Sequence, residues 1–384
     1  MSPALQKTLV FLLLIVAGYF LQQKINGKQE LKGVKVLILS VILPATIFVA
    51  LLKINISAEL LLLPIGTLAL NVLLFFATKK MLPILGIDKE TDNWRTFLLL
   101  TPSLAPGLSC FPFVVEYLGE ESLAMAALAD VGNKVFVLII LYLIAMNWYY
   151  ARQATQAAIT DKPGTKSKLK NLGLSLLREP VNLVILLAVA MLCLGLNINA
   201  LPTFLETTAV RLAALMTPIV LLFIGMAVRF KRQEMALIIR VLAFRAGVGL
   251  FASGLAMLVL PAMAPAFALL LVIFPQSAVS FWPFAHMSAV ENLRKEGAPS
   301  IFNIDLALNI LACSLPFSTV IILGVLSCGD YFAQPSIVFL LGTALLAWPI
   351  IYVLQRSIWA RKRAHTTTPT SSHQSIRLPN TTGN

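Results

Sequence analysis

The sequence predicts an all-α integral membrane protein: a ten-helix 5+5 inverted repeat with broken crossing helices 4 and 9, plus an eleventh C-terminal helix. Three observations predict it. Of 384 residues, 58% are hydrophobic and only 12% charged, with a mean hydropathy of +0.86. A soluble domain carries about 25% charged residues, so this chain cannot cover its own surface in water. Apolar stretches long enough for a ~30 Å hydrocarbon core, about 20 residues each, recur along the whole chain. The basic residues gather in every second connection between them.

The stretches fall near 4–22, 34–53, 58–78, 96–118 and 122–148, then 180–198, 205–228, 235–260, 264–290 and 301–326, with the last near 335–355. Only Lys7 precedes the apolar run of the first, and apolar segments continue to the end, so a cleaved signal peptide is the weaker reading. With the N-terminus outside, the inner connections and tail hold 24 of the 30 basic residues, Lys24, Lys28, Lys32 and Lys35 among them. Outer segments keep Lys7, Lys53 and Arg211, and Lys134, Arg240 and Arg245 fall within spans. This bias orients the chain N-outside, C-cytoplasmic, multi-pass, with a bacterial inner (plasma) membrane as the expected location. The excess of Lys and Arg is thereby explained by topology, and no nucleic-acid partner is expected.

The chain divides into a first five-helix repeat (1–149), a basic cytoplasmic loop (150–178), a second repeat (179–327), an additional helix (328–356) and a polar tail (357–384) expected to be disordered. Landmarks repeat in order: Pro44 with Pro218, Glu59 with Glu234, Pro83 with Pro261, Phe111-Pro112-Phe113 with Trp282-Pro283-Phe284, and Asp130 with Asp305. Because five is odd, two such units in series enter the membrane from opposite sides, a common build among secondary transporters.

Span 4 carries Pro102, Pro106, Gly107 and Pro112, with Ser109 between; span 9 carries Pro275 and Pro283, with Gln276, Ser277 and Ser280 between. Each Pro removes a backbone donor, and the freed carbonyls need partners in protein or in a watery cavity. One such Pro most often only kinks a helix. Paired interruptions at matching positions predict a central site lined by residues 105–112 and 275–283.

Ionisable groups inside spans cost at least about 2.5 kcal/mol at the centre of a membrane helix. Asp130, Asn133 and Lys134 share one helical face, as do Asp305 and Asn309. These residues are candidates for coupling or gating, with a purely structural Asp130–Lys134 pair the even alternative. Arg245 is a candidate to attract an anion or to pair with Asp305. Arg240 is expected to snorkel, His286 to be a hydrogen-bonded structural residue, and Glu116 to be solvated. Four scattered cysteines (Cys110, Cys193, Cys313, Cys328) and three histidines build neither a disulfide framework nor a metal centre.

Gly18-Tyr19-Phe20-Leu21, then a basic turn, then Leu43-Pro44-Ala45-Thr46-Ile47-Phe48 resembles the opening of auxin efflux carrier family permeases. So do Arg178-Glu179-Pro180-Val181 and Pro218-Ile219-Val220-Leu221-Leu222-Phe223-Ile224-Gly225. The resemblance covers roughly residues 10–325. It implies the ten-helix inverted-repeat fold also found in bile-acid symporters and sodium/proton antiporters, and export or exchange of small organic anions at the crossing of spans 4 and 9. It departs where that family has an Asn-x-Gly-x-x-Gly-x-Pro run: here the Asn is Ala105 and the second Gly is Cys110. Contacts of that Asn are therefore not carried over. The eleventh span is additional and moves the C-terminus inside.

The function expected is a secondary active or facilitative permease for a small organic anion, working by alternating access. The alternative is a sodium- or proton-coupled symporter of bile-acid type on the same fold. No cofactor is expected beyond a coupling proton or sodium ion; the partners expected are the anion, the lipid bilayer and, compatibly, a second copy in a homodimer. A membrane enzyme is disfavoured by the lack of an HExxH motif, paired catalytic carboxylates or a Ser/His constellation, and an ATP-driven pump by the lack of a Walker motif. A receptor or scaffold would leave the twin Pro breaks unexplained.

Overall fold

The computed structural model describes residues 3–25, 28–53, 60, 62–156, 180–227, 235–260, 263–293 and 299–366. These residues are helical or in short connections, with no strand among them. Seven stretches are long and apolar enough to cross a membrane: Gln29–Leu51, Leu62–Ile84, Phe111–Arg152, Thr203–Met226, Met235–Val259, Ile304–Cys328 and Pro335–Tyr352. Three shorter apolar helices, Leu9–Leu21, Leu183–Leu192 and Pro265–Gln276, join them.

In chain order the helices are α1 (Pro3–Leu21), α2 (Lys28–Leu37), α3 (Leu43–Leu51), α4 (Leu62–Ile84), α5 (Asp92–Leu100), α6 (Pro106–Ser109), α7 (Phe111–Val135) and α8 (Leu141–Gln156). After a gap follow α9 (Pro180–Cys193), α10 (Thr203–Ala214), α11 (Met216–Ala227), α12 (Met235–Val259), α13 (Pro265–Ile273), α14 (Trp282–Asn292), α15 (Ile304–Cys328) and α16 (Pro335–Thr366). A π-helical turn at Ile38–Ile42 carries α2 into α3, and another at Phe136–Ile140 carries α7 into α8. The start of α5 is set by Thr91, whose hydroxyl accepts from the Trp94 N–H at 3.2 Å. Asn303 caps α15 in the same way, accepting from Leu306 at 2.9 Å; side-chain oxygens at this position replace the missing intrahelical acceptor. Within α7, Gly119 takes φ 86 and ψ 177, a left-handed backbone that turns the helix sharply without a loop.

Two groups of helices result. In one, α1 lies along α11, while α9 and α10 lie along α3. In the other, α4 packs on α7, α8 on α14, α5 on α15, and α12 on both α15 and α16. The groups meet along α7 and α15. The α4–α7 contact is backbone to backbone: a Cβ on Gly132 would stand 1.8 Å from the Pro64 carbonyl oxygen.

The boundaries differ from expectation in two places. Helix α8 continues to Gln156, into the expected basic loop, and α16 continues to Thr366, into the expected disordered tail. Ala151-Arg-Gln-Ala and Trp359-Ala-Arg-Lys-Arg-Ala are rich in strong helix formers, which prolong a helix already nucleated upstream. The remainder of that loop and tail, and the landmarks Glu59, Glu234 and Pro261, lie outside the described residues.

Candidate functional site

The helix between Asp92 and Ser109 is broken at residues 101–105, and the one between Pro265 and Asn292 at residues 277–281. The prolines act less as kinks than as openings of the second halves. Pro106, Pro112 and Pro283 each stand in the first turn of α6, α7 and α14, where an N–H would have no intrahelical acceptor.

The two breaks bind each other. The Ala105 N–H donates to the Ala278 carbonyl at 2.8 Å. The Ala278 N–H donates to the Ser109 hydroxyl at 2.8 Å, and the Ser280 N–H to the Ser103 hydroxyl at 3.1 Å. Those hydroxyls pass their own protons back to the Ala105 and Leu100 carbonyls, at 2.8 and 2.6 Å. On the other side, α15 closes the account: Ser314 accepts from the Val279 N–H at 3.3 Å, and Ser318 donates to the Gln276 carbonyl. Serine suits the task because one hydroxyl donates and accepts at once. Ser277 donates to Phe274 at 2.6 Å. All residues from Val272 to Ser280 are buried. The second break is therefore enclosed as far as Ser280, while Phe281 and Trp282 remain exposed. A cleft of about 470 Å³ opens elsewhere, between Gln6, Val10, Phe11 and Leu14 of α1, Glu116 of α7, and Thr217 and Pro218 of α11. Glu116 is exposed there, as a solvated residue would be.

Arg245 of α12 lies across both breaks. Its Nη2 donates to the Ser277 carbonyl at 2.7 Å and to the Ser103 carbonyl at 3.1 Å, with the residue only 2% exposed. Among the described residues its Nε has no hydrogen-bond partner, nor has the Gln276 Oε1 or the Thr101 hydroxyl. The Gln276 amide nitrogen donates to the Ala246 carbonyl at 3.3 Å. Gly107 faces Leu43 of α3: a Cβ there would come within 2.7 Å of its side chain, so the broken segment sits close against the first helix group.

Asn133 clamps the first break. Its Oδ1 accepts from the Leu104 N–H at 3.1 Å while its Nδ2 donates to the Leu104 carbonyl at 2.9 Å. The same Nδ2 donates to Asp130 Oδ1 at 2.7 Å, and Asn71 Nδ2 donates to Asn133 Oδ1 at 3.1 Å. The other Asp130 oxygen lies 3.7 Å from Lys134 Nζ. All five residues are buried. Asp130 thus sets which way the amide points, since a carboxylate oxygen that only accepts must face the amide's donor nitrogen.

The structure does not bring Asp305 and Asn309 into this cluster. Asp305 is exposed in the first turn of α15, and Asn309 is half-buried one turn on. Among the described residues no ion pair joins Asp305 to Arg245. The equation of Asp130 with Asp305 fails for a geometric reason: the α15 side chains that reach the crossing are Ser314 and Ser318, more than two turns further along. His286 is buried with one ring nitrogen 2.9 Å from the Val137 carbonyl, the structural role expected of it. Arg240 does not extend alone: its guanidinium stacks 3.4 Å over the Tyr352 ring. Sequence reasoning missed Ser103, Asn71, Ser314 and Ser318, although Ser314 and Ser318 at i,i+4 in an apolar helix are a visible stripe.

The outer ends of the half-helices are tied down as firmly. Glu291 accepts from the Ile301 and Phe302 N–H groups at 2.7 and 2.8 Å, Arg95 donates to the Ile301 carbonyl at 2.9 Å, and Asn303 donates to Asn93 at 2.9 Å. No protein-family model matches the chain, and no curated protein matches it.

Proposed function

We propose that this protein is a secondary active or facilitative transporter of a small organic anion, working by alternating access across a membrane. The observation that carries the reading is the crossing: two interrupted apolar helices joined through their backbones, with a buried arginine hydrogen-bonded to both. Unwound backbone inside a membrane protein lines a substrate path or is buried in protein. A charge is retained there at a cost of a few kcal/mol, which function repays.

The 5+5 inverted repeat and eleven-span topology belong to the same proposal. Packing supports them: α1 on α11 is matched by α9 on α3, and α4 on α7 by α12 on α15. Those pairings are what an exchange of the two halves would produce. In this reading the group of α1, α3, α9 and α11 is a frame and the group holding the crossing moves against it. The auxin efflux carrier resemblance fits the same architecture, as does the N-outside, C-cytoplasmic orientation in an inner membrane.

A coupled symporter is the second reading, and the Asp130–Lys134 pair favours it. At 3.7 Å the contact is loose for an ion pair, and its carboxylate is already bonded to the residue that clamps the break. A cation or proton exchanged at Asp130 would act on the Leu104 peptide through Asn133. The test is flux of a panel of small organic anions into proteoliposomes, with and without an imposed pH or sodium gradient. Downhill flux alone supports a facilitator, and gradient-driven accumulation supports coupling. Absence of flux for every anion, in protein shown to be folded, refutes transport of this class.

A further inference from the structure

Among the described residues, one cation meets the crossing through an aromatic ring. Arg245 is fixed by two backbone carbonyls that belong to the breaks themselves. Lys134 is paired with Asp130, and Arg240 is held on Tyr352. Lys35 differs. It lies in α2, within the apolar stretch Gln29–Leu51, and is half-buried. Among the described residues it has no ion pair. Its ammonium stands 3.8 Å from the centre of the Phe281 ring.

Phe281 is the last residue of the second break, immediately before α14. It stays 46% exposed, so the ring is not packed away and the ammonium is not enclosed on every side. The contact also joins the two helix groups, since α2 packs against α11 and leads into α3, while Phe281 belongs to the crossing. A cation–π contact at a partly exposed site is weak and non-directional. An oxyanion bound by an ammonium gains charge-assisted hydrogen bonds that a ring cannot offer.

We propose that Lys35 is the specificity-determining cation of the site: its ammonium rests on Phe281 when no anion is bound and transfers to the oxyanion group of the substrate when one enters the crossing. The inference rests on the transporter reading and assigns within it the group that recognises charge. Arg245 then sets the positive potential of the crossing and holds its shape, and Lys35 follows the ligand. The flexible four-carbon stem of Lys suits a group that must change partners, where the fixed planar fork of Arg suits the bridge.

The test uses full-length protein in proteoliposomes and one transported carboxylate from the flux panel, together with its neutral amide. Lys35→Gln should raise KM for the carboxylate about 10-fold or more and bring it to that of the amide; Lys35→Arg should keep most of the discrimination. Phe281→Leu removes the competing ring, so KM for the carboxylate should fall about 2- to 5-fold, the weight of an exposed cation–π contact. A purely structural contact would lower protein yield or kcat in both variants without moving the carboxylate/amide ratio. A folded, active Lys35→Gln with an unchanged ratio overturns the proposal and leaves the transporter reading intact. Should Lys35→Gln not fold, Phe281→Leu decides alone, and an unchanged KM there overturns it. A wild-type protein that moves no anion overturns both.

Discussion

Replacing Asn133 by Ala tests whether the crossing is held by side chains or by the surrounding packing. The amide makes four hydrogen bonds: from the Leu104 N–H, to the Leu104 carbonyl, to Asp130 and from Asn71. Truncation strands the Leu104 N–H and carbonyl, on a residue only 1% exposed. Each buried orphan costs about 1–3 kcal/mol, so Asn133→Ala should destabilise by about 2–6 kcal/mol. Asn133→Asp keeps an acceptor for the Leu104 N–H, but it loses the donor to the carbonyl and sets a second carboxylate beside Asp130. It should be at least as damaging as Asn133→Ala. In the swap, Asp130→Asn with Asn133→Asp, an amide again faces a carboxylate and part of the loss should return. Equilibrium unfolding in mixed detergent micelles reads all three. A loss below about 1 kcal/mol for Asn133→Ala, or a swap no better than Asn133→Asp, would refute the clamp.

Arg245→Gln cannot span both carbonyls, so flux should fall at least 10-fold, with one or two charge-assisted bonds of about 1.5–3 kcal/mol lost. Adding Asp305→Asn should rescue nothing, and a rescue would reinstate their pairing. Gly132→Ala drives a Cβ into the Pro64 backbone and should sharply lower the yield of folded protein, whereas Gly324→Ala, with open space around it, should be neutral or stabilise by up to about 1 kcal/mol; size-exclusion profiles of the two, side by side, check the contrast. Lys134→Ala should lower yield, and the added Asp130→Asn should restore folding but not gradient-driven accumulation. Full accumulation in that double variant would remove Asp130 from coupling.

Much of this architecture was legible because composition leaves few options. Runs such as Leu183–Leu192 and Leu62–Ile84 are helical wherever water is scarce, and Pro106, Pro112 and Pro283 mark where helices begin as surely as where they stop. The twin breaks were legible for the same reason. The partners across them were not. Ser103 and Ser314 look like any small polar residues in the sequence, and only the folded chain shows that each holds a peptide group of the other helix half. Asp305 misled because a carboxylate in an apolar window reads as buried, and periodicity does not say that it falls in the first, exposed turn. Lys35 was counted with the loop charges, since three lysines precede it; its turn toward Phe281 is tertiary information.

The packing of α16 on α12 has a consequence for synthesis. A Cβ on Gly247 would stand 2.6 Å from the Leu346 side chain, and one on Gly342 2.9 Å from Phe251. The two helices therefore nest through residues some 95 positions apart in the chain. At about 5–20 residues per second, the stretch of α12 beside Arg245 waits roughly 5–20 s for its neighbour to be made. During that interval its glycine-lined face lies against lipid or the insertion machinery. A ribosome that stops before Pro335 leaves the arginine-bearing helix without its cover, although every residue of the crossing has already been translated. Nascent chains of increasing length should thus show crosslinking of the Gly247 face of α12 to lipid or the insertion machinery, lost only once α16 has cleared the ribosome.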